Sequence, residues 1–322
     1  MKKEELKRTG AYHFINYRQD RLKEYLKYIQ DDNSVICFDL EDSIQDVFQP
    51  ERNSRLKQSC RDFIKDYFFK NEMSRDFLFG LRLNSFYSDE FAKDIDLLLE
   101  ISNKTRISSL FLTKAESITE LTEINRILDE NKINCDEIVA VIETKKGFDK
   151  LTEIVSVGTK RLKKIAFGHC DFNLDNGIFP FHHQNSAEYW EWIDRILKVI
   201  GSKRAARLGF INSPYLELDD DEGFLNMLSG MRELCKEKFF QITLTHNQTR
   251  LCRKQFSNGK LKFEFKNENI LDIKEYALKI TKDFNDHSLR NSFVLSGEKR
   301  KLISPHEFKA SENYLRSSDE GY

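Results

Sequence analysis

A series of eight short apolar runs at fairly even intervals constrains the fold of this 322-residue chain more than any other feature. Several runs are rich in Val, Ile and Phe, which is typical of strands buried on both faces of a parallel sheet. The predicted strands are Ala11 to Asn16, Val35 to Leu40, Phe77 to Leu83, Ser109 to Thr113, Ile138 to Ile142, Lys164 to Gly168, Leu208 to Asn212 and Gln241 to Thr245.

Segments long enough for a helix separate these strands, and many carry apolar residues at helical spacing. The predicted helices are Arg21 to Ile29, Phe91 to Ile101, Ile118 to Leu128, Phe148 to Val157, Tyr189 to Ile200 and Phe224 to Cys235. Alternating strand and helix signals predict a parallel sheet with crossover helices, and eight such units close a (β/α)8 TIM barrel of the α/β class.

The competing architecture is an open, doubly wound sheet, which would carry a glycine-rich phosphate loop after its first strand. The first run ends instead in Phe14-Ile15-Asn16-Tyr17, without a glycine fingerprint. We therefore predict a barrel domain over residues 10–256 and a C-terminal helical extension over 257–322, with a helix from Ile273 to Phe284. We expect this extension to act as a lid and to contact other subunits.

Composition narrows the class of partner. With 52 basic and 53 acidic residues, the formal net charge is −1, which predicts no binding to nucleic acid or to a membrane surface. No window is apolar enough for a membrane helix, and the charged N-terminus does not resemble a secretory signal. The six cysteines are scattered and form no zinc-like spacing, so we expect reduced thiols and a cytoplasmic location.

Nearly every predicted strand ends in polar or charged residues, and in a barrel these ends converge on the C-terminal rim, where catalysis takes place. The strand-end clusters are Asp39-Leu40-Glu41-Asp42, Arg82-Leu83-Asn84, Thr113-Lys114-Ala115-Glu116, Glu143-Thr144, Gly168-His169-Cys170-Asp171, Asn212-Ser213 and Thr245-His246-Asn247-Gln248. Seven such clusters together predict an active site at this rim.

Two of these clusters predict a metal site. Glu143 and Asp171 end adjacent strands, so their carboxylates could share Mg²⁺, with Mn²⁺ as an alternative. The cation would act as a Lewis acid on a ketone or enolate oxygen. This arrangement suits the making or breaking of a carbon–carbon bond beside a carbonyl.

Three residues of the rim are candidates for catalysis around that cation. Arg82 can hold a substrate carboxylate with its planar fork, which a lysine cannot do. Asp39 and Glu41 are acidic catalytic candidates. The alternatives are that Asp39 caps the following turn or pairs with Arg82, and that Glu41 and Asp42 either orient residues that contact the ligand or cap a helix.

Four further residues have open assignments. Lys114 is a catalytic candidate as the amine of a Schiff-base aldolase, but acidic neighbours favour an ion pair. Asn84, His169 and His246 are predicted to contact substrate. The alternatives are an orienting or packing role for His169 and a hydrogen-bonded position at the barrel mouth for His246.

In this order, the strand-end motifs resemble those of the citrate lyase beta-subunit-like branch of the HpcH/HpaI aldolase superfamily. The resemblance runs from about residue 10 to 316. The matching segments are Asp39-Leu40-Glu41-Asp42-Ser43-Ile44, Leu81-Arg82-Leu83-Asn84, Thr113-Lys114-Ala115-Glu116-Ser117, Ile142-Glu143-Thr144 with Gly147, Phe167-Gly168-His169-Cys170-Asp171-Phe172, Thr245-His246-Asn247-Gln248 and Leu302-Ile303-Ser304-Pro305.

This resemblance implies a TIM barrel with Mg²⁺ on Glu143 and Asp171, and with Arg82 at the carboxylate or carbonyl of a small carboxylic acid. It also implies a homo-trimer or hexamer. Members of the branch cleave or form carbon–carbon bonds in hydroxy or keto acids, often as acyl-CoA thioesters.

The chain departs from the family pattern where substrates are recognised. Ser304 replaces the acidic residue of the C-terminal motif, and a serine cannot act as that carboxylate acid or base. Asn247 replaces a proline, and the first-strand loop is altered. We therefore expect a divergent metal-dependent lyase or aldolase that acts on a hydroxy or keto acid through a metal-stabilised enolate. The alternatives are an acyl-CoA lyase or thioesterase, and an inactive barrel that serves as a scaffold.

Overall fold

The barrel closes in sequence order. The computed structural model describes residues 10–18, 22–29, 34–71, 77–202, 208–253, 270, 272–287, 292–296 and 300–319. Eight parallel strands pair in the order of the chain, and the last pairs with the first, as in Ala11 opposite Gln241. The strands are β1 (Ala11–Ile15), β2 (Val35–Asp39), β3 (Phe79–Arg82), β4 (Ile107–Leu112), β5 (Ile138–Ile142), β6 (Leu162–Phe167), β7 (Gly209–Asn212) and β8 (Phe239–Thr243).

Helices follow the strands and surround the barrel. They are α1 (Leu22–Ile29), α2 (Asn53–Lys70), α3 (Asp89–Ile101), α4 (Ile118–Glu130), α5 (Lys145–Asp149), α6 (Leu151–Ser156), α7 (His169–Asp175), α8 (Ala187–Ile200), α9 (Asp221–Cys235), α10 (His246–Leu251), α11 (Ile273–His287) and α12 (Pro305–Asp319). The predicted TIM barrel is thereby confirmed.

Two helix predictions differ from the structure. The long helix α2 was not predicted, because its first half is almost entirely polar and its buried apolar residues, Cys60, Ile64, Tyr67 and Phe68, all lie in the second half. The single helix predicted from Phe148 to Val157 is two short helices, α5 and α6, which meet at Lys150.

Strand periodicity sets which side chains point into the barrel. The apolar residues that fill the interior include Cys37, Phe111, Val139, Val141 and Ala166. Because side chains alternate along a strand, Asp39 and Glu143 lie two residues further along the same inward faces. The alternation along the strands therefore places the carboxylates of Asp39 and Glu143 at the C-terminal mouth of the barrel.

The C-terminal segment folds back on the barrel of its own chain. The hairpin of β9 (Val294–Leu295) and β10 (Leu302–Ile303) attaches to the barrel loops, where the backbone N–H of Leu302 donates to the carbonyl of Leu216 at 2.9 Å. Helices α11 and α12 then stack on each other through Phe284 and Phe308, with ring centroids 4.3 Å apart. The predicted domain boundary at residues 256/257 lies outside the described residues.

Ser304 has a structural role at the start of α12. Its hydroxyl accepts a hydrogen bond from the backbone N–H of Glu307 at 3.0 Å, and Pro305 follows it in the first helical position. This is the arrangement of an N-cap, which accounts for a serine at this position.

Two findings bear on the predicted class of protein. All six cysteines are free thiols. Within the described part of the chain, none of the helices is both long and apolar enough to span a membrane.

Candidate active site at the barrel mouth

Arg82 and Asp39 form a bidentate ion pair at the ends of β3 and β2. The Nε of Arg82 donates to Asp39 Oδ1 at 2.7 Å, and a terminal nitrogen donates to Oδ2 at 2.5 Å. Asp39 also accepts the backbone N–H groups of Glu41 and Ser43. Burial alone would raise the pKa of Asp39, but the charge and hydrogen bonds of Arg82 outweigh it and the pKa is lowered. Asp39 thus positions Arg82, as one of the sequence alternatives proposed.

The second terminal nitrogen of Arg82 points toward the neighbouring acids. It lies 3.4 Å from both Glu41 Oε2 and Asp42 Oδ2. The fork that was expected to hold a substrate carboxylate is therefore occupied by Asp39. The remaining guanidinium nitrogen is the part of Arg82 that is left to contact a substrate.

Lys114 links the carboxylates of two strand ends. Its Nζ donates to Glu41 Oε1 at 2.7 Å and lies 3.0 Å from Asp171 Oδ1. Its backbone has a φ of +49°, a left-handed conformation that is unusual for a lysine, and its backbone N–H donates to Glu143 Oε1 at 2.7 Å. Burial works against the charge on Lys114, but Glu41, Glu143 and Asp171 outweigh it and raise its pKa.

His306 reaches this cluster from the first turn of α12. Its Nε2 lies 3.2 Å from Asp171 Oδ1 and 3.9 Å from Asp42 Oδ1. Burial alone would lower the pKa of His306, but the charges of Asp171 and Asp42 raise it to about 9. His306 and Lys114 in turn hold the pKa of Asp171 below its usual range, against the effect of burial. Sequence reasoning missed His306 because it lies far along the chain from the ends of the eight barrel strands.

Glu143 lies deepest among these acids and is 1% exposed. Gly168 makes room for it, since a Cβ at that position would lie 2.4 Å from Glu143 Oε2. Burial and the charge of Asp171 raise the pKa of Glu143 well above its usual value. Burial and the charge of Asp42 likewise raise the pKa of Glu41 to about 7.

The mouth cluster contains more carboxyl groups than cationic groups. We define it as the carboxylates Glu41, Asp42, Glu143 and Asp171 with the cations Lys114 and His306. These four acids face two cations, because Asp39 and Arg82 neutralise each other. One oxygen, Glu41 Oε2, is buried without a hydrogen-bond partner. With all four carboxyl groups ionised, the excess of two negative charges on oxygen donors would match one divalent cation that prefers oxygen ligands.

The geometry of the cluster offers a set of possible metal ligands that differs from the pair predicted from sequence. Ligand atoms of Asp42, Asp171 and His306 all lie within 4.8 Å of one another, close enough to share one ion. Asp171 is the member that this set has in common with the pair predicted from sequence.

Asn84 has its side chain fully engaged by protein groups. Its amide nitrogen donates to the carbonyl of Leu40 at 2.9 Å and to Asp94 Oδ2 at 2.8 Å, and its amide oxygen accepts from Lys57. These contacts hold the loops after β2 and β3 together. Any contact of Asn84 with a substrate would require one of these bonds to break.

His169 belongs to a separate buried cluster beneath the C-terminal helix. Its Nε2 lies 3.0 Å from His183 Nδ1, and His183 Nε2 lies 3.5 Å from Glu307 Oε1. Glu307 also accepts from the hydroxyl of Tyr276 at 2.8 Å. Burial and the charge of His183 hold the pKa of His169 well below its usual value, so the ring is neutral at pH 7. The structure thus places His169 among packing and orienting contacts.

His246 lies in the helix layer and not among the acids of the mouth. Its ring lies 4.4 Å from that of Tyr28 on α1, and its charge acts on the buried His13. His13 itself hydrogen-bonds to Tyr25 on α1 and Thr249 on α10. The structure therefore separates His246 from Arg82 and Glu41, with which the sequence had grouped it.

A cavity of about 450 Å³ opens beside the mouth cluster. Arg82 and Asp39 form part of its wall, and β1, β8 and the C-terminal segment supply the rest. Its volume falls within the range of roughly 300–1,000 Å³ that is usual for small-molecule sites.

The sequence of the barrel matches a family model. The match covers residues 13–238, which include β2 to β7 in full and the last three residues of β1. The chain belongs to the HpcH/HpaI aldolase/citrate lyase family. Membership of this family indicates a lyase that acts on carboxylic acids. No curated protein sequence gives a significant match.

Solved structures of the HpcH/HpaI fold agree with the barrel at low sequence identity. RipC from Yersinia pestis has a TM-score of 0.57 and 16% identity, over 79% of this chain and 97% of its own. The citrate lyase beta subunit of Mycobacterium tuberculosis with oxaloacetate and magnesium has a TM-score of 0.56 and 16% identity, over 76% of this chain and 95% of its own.

A further complex of the Mycobacterium tuberculosis protein CitE contains magnesium, acetoacetate and coenzyme A. It has a TM-score of 0.57 and 16% identity, over 96% of this chain and 97% of its own. These likenesses confirm the TIM barrel. The low identities together with the family match show a divergent member of the HpcH/HpaI aldolase/citrate lyase family.

Proposed function

We propose that this chain is a divalent-metal-dependent carbon–carbon lyase of the aldolase type that acts on a hydroxy or keto acid. The observation that carries the proposal is the cluster of four carboxyl groups around only two cationic groups at the mouth, beside a cavity large enough for an organic acid. Glu143 and Asp171 are the proposed ligands of Mg²⁺, or of Mn²⁺ as an alternative. A bound cation would stabilise the negative charge that develops on a carbonyl oxygen.

The residues around the cation have distinct proposed roles. Arg82 contacts the substrate with its outer guanidinium nitrogen, while Asp39 holds the guanidinium in place through the other two. Glu41 exchanges a proton with the substrate, because a carboxyl group with a pKa of about 7 can both donate and accept near neutral pH. Lys114 orients the carboxylates of Glu41 and Asp171.

The state of Lys114 argues against Schiff-base chemistry. An amine attacks a carbonyl only in its neutral form, and an aldolase lysine needs a lowered pKa. The pKa of Lys114 is raised, because its carboxylate neighbours outweigh burial. An ammonium at this position favours the metal-dependent mechanism.

The acyl-CoA alternative has less support in this chain. Ser304 caps α12, and Glu307, three residues on, is buried against Tyr276 and His183 of the same chain. Neither residue is available as the acid or base that the C-terminal motif supplies in acyl-CoA-processing relatives. The scaffold alternative does not account for an uncompensated buried charge cluster, which is unfavourable unless it serves a ligand.

The first experiment measures Mg²⁺ binding by calorimetry in the wild type and in Glu143→Gln and Asp171→Asn. Each variant removes one proposed ligand, so we expect Mg²⁺ affinity to fall by at least about tenfold, the lower end of losses seen for metal-site residues. The matched control is Glu116→Gln, since Glu116 lies on the same rim but pairs with Lys146 and Thr144. Wild-type affinity in both ligand variants would rule out the proposed pair.

The second experiment tests the reaction. The purified protein is incubated with free 2-keto-4-hydroxy acids and, separately, with malyl-, citramalyl- and citryl-CoA, each with Mg²⁺ and with a chelator. We expect chelator-sensitive cleavage of free acids. Chelator-resistant cleavage together with a borohydride adduct at Lys114 would replace the metal mechanism by a Schiff base.

A further inference from the structure

His306 brings a nitrogen donor to a cluster whose carboxylates offer only oxygen. Its Nε2 lies 3.2 Å from Asp171 Oδ1 and 3.9 Å from Asp42 Oδ1. One ligand atom from each of these three residues lies within 4.8 Å of the other two. Metal–ligand bonds of roughly 2.0–2.3 Å place neighbouring ligand atoms about 3–4 Å apart. The three side chains are therefore close to the spacing that a single bound ion requires.

The first turn of α12 holds His306 at this position. Ser304 caps the helix by accepting a hydrogen bond from the backbone N–H of Glu307 at 3.0 Å. The side chain of Glu307 is buried against the hydroxyl of Tyr276 and the ring of His183. The side chain of His306 is only 12% exposed. The helix start thus presents the imidazole to the acids of the barrel.

An independent observation at Glu41 points to a cation at the same place. The side chain of Glu41 is 6% exposed, and its Oε2 makes no hydrogen bond in the part of the chain that the structure describes. A terminal nitrogen of Arg82 lies 3.4 Å from this oxygen and is shared with Asp42. The charges of Asp42 and Asp171 both act on Glu41. A cation bound by these two acids would supply counter-charge to a buried oxygen that lacks a full partner.

The donor set determines which ion is favoured. Carboxylate and water oxygens suit Mg²⁺, whereas an imidazole suits first-row transition ions. A histidine that pairs with a carboxylate carries a proton on the nitrogen that would bind the ion. That proton passes to the solvent on binding, because the ion takes over its charge.

We propose that the ion of the mouth cluster is a first-row transition ion such as Mn²⁺ or Co²⁺, and that His306 Nε2 binds it together with Asp171 and Asp42. The inference rests on the proposed function for the presence of a divalent cation, and it adds two ligands beside the shared Asp171. Asp42 and Asp171 belong to the barrel and His306 belongs to α12. The bound ion therefore also links the C-terminal helix to the barrel mouth.

The first test is pulsed electron paramagnetic resonance of the wild-type protein loaded with Mn²⁺. We expect a hyperfine coupling to a directly bound nitrogen, which changes when the histidines are labelled with ¹⁵N and disappears in His306→Gln. His182→Gln is the matched control, since His182 has an acidic neighbour, Glu188, at 3.6 Å but lies outside the mouth cluster. Absence of Mn²⁺ binding, or bound Mn²⁺ without a histidine coupling in the wild type, overturns the inference.

The second test compares Mg²⁺ and Co²⁺ affinities by calorimetry. His306→Gln replaces the nitrogen donor by an amide oxygen of similar reach, so the ratio of Co²⁺ to Mg²⁺ affinity should fall by at least about tenfold. The ratio should stay unchanged in His182→Gln. A higher affinity for both ions in His306→Gln would show that His306 competes with the metal as a counter-charge, which overturns the inference.

The link between helix and barrel is measured by hydrogen exchange in α12. Mn²⁺ at ten times its Kd should slow exchange in the wild type by up to roughly tenfold, because undocking of the helix must break a metal bond. In His306→Gln at the same saturation, the slowing should be absent. Equal slowing in both proteins would overturn the proposed link.

The outcomes distinguish this inference from the proposed function. Loss of Mg²⁺ binding in Glu143→Gln and Asp171→Asn, without a histidine coupling and with an unchanged affinity ratio in His306→Gln, overturns the inference and leaves the metal-dependent lyase standing. A histidine-bound Mn²⁺ in a protein that cleaves none of the tested acids supports the inference and counts against the proposed function.

Discussion

Two buried charge clusters lie at opposite ends of the same barrel, and they differ in how completely their charges are balanced. At the floor, below the apolar interior layer, Glu137 accepts hydrogen bonds from Tyr12 at 2.5 Å, from Ser109 at 2.6 Å and from Lys164. Lys164 also lies 4.4 Å from the centre of the Phe240 ring. The single carboxylate, Glu137, is thus balanced by the single cation, Lys164. Burial alone would raise the pKa of Glu137, but the charge of Lys164 outweighs it and the pKa is lowered.

The mouth cluster is buried to a similar degree but is not balanced. Its four acids face two cations, and the pKa values of Glu41 and Glu143 are raised by burial and by neighbouring carboxylates. Balanced charge stabilises the fold by satisfying every partner, whereas surplus charge destabilises it until a ligand supplies the missing counter-charge. The comparison therefore supports a structural role for the floor cluster and the proposed metal-binding role for the mouth cluster.

The largest effect is expected at the floor. Lys164→Met leaves Glu137 charged and buried without its cation, so the free energy of unfolding should fall by about 3–5 kcal/mol. Chemical denaturation of the two proteins measures this difference. The double variant Lys164→Met/Glu137→Gln should recover much of the loss, because no unpaired charge remains. A loss below 1 kcal/mol in the single variant would mean that the floor is not held by this pair.

The floor cluster and the mouth cluster should contribute to the pH dependence of the free energy of unfolding with opposite signs. The folded-state pKa of Glu137 lies below 4.5, so its contribution is present above pH 4.5 and is lost as the pH falls through the folded pKa. The folded-state pKa of Glu41 is raised from 4.5 to about 7, so the folded protein binds the extra proton and stability falls as the pH rises from 4.5 to 7.

Thermal unfolding from pH 4.5 to 8, in the absence of divalent cations, tests the fall in stability that is expected from Glu41. The fall should be on the order of 1–3 kcal/mol and should become smaller in Glu41→Gln, where the raised pKa values of Glu143 and His306 still contribute, while Glu116→Gln behaves as the wild type. Saturating Mg²⁺ should reduce the fall, because the cation replaces the proton as counter-charge. Stability that rises steadily across this range would contradict the raised pKa of Glu41.

A smaller effect is expected from a single methyl group at the mouth. Gly168→Ala places a Cβ 2.4 Å from Glu143 Oε2, so the carboxylate must move away from its position near Asp171. We expect Mg²⁺ affinity to fall by about tenfold, or roughly 1.4 kcal/mol, as measured by calorimetry. Gly158→Ala is the control, because a Cβ there meets no atom within 4 Å. Equal affinities in the two variants would show that Glu143 does not bind the cation.

The sequence was sufficient to predict most of the barrel strands and part of the candidate site. The strand predictions are confirmed because buried parallel strands are continuous apolar runs, and β5 was predicted with its observed bounds. The polar residues after each strand were correctly expected to reach one rim, since parallel strands share a direction. The pairing of Asp39 with Arg82 was open between two alternatives, and only the register of β2 against β3 decides it.

Other features could not be read from local patterns. His306 reaches Asp171 across 135 positions of the chain, because α12 packs against the barrel mouth, and no spacing rule links such distant residues. The same holds for His246, whose strand-end position predicted a place at the mouth but whose side chain turns toward α1. The position of a strand end determines where the backbone lies, whereas the helix that follows determines the direction of each side chain.

The sequence by itself thus determined the number and order of the strands, the direction in which they run and the edge at which the polar residues collect. These properties follow from local periodicity and from the geometry of parallel strands. Tertiary structure alone decided which charges neutralise one another. Arg82 pairs with Asp39, Lys114 with Glu41 and Asp171, and His306 with Asp171, because electrostatic energy depends on distances that only the closed barrel and its C-terminal helix bring about.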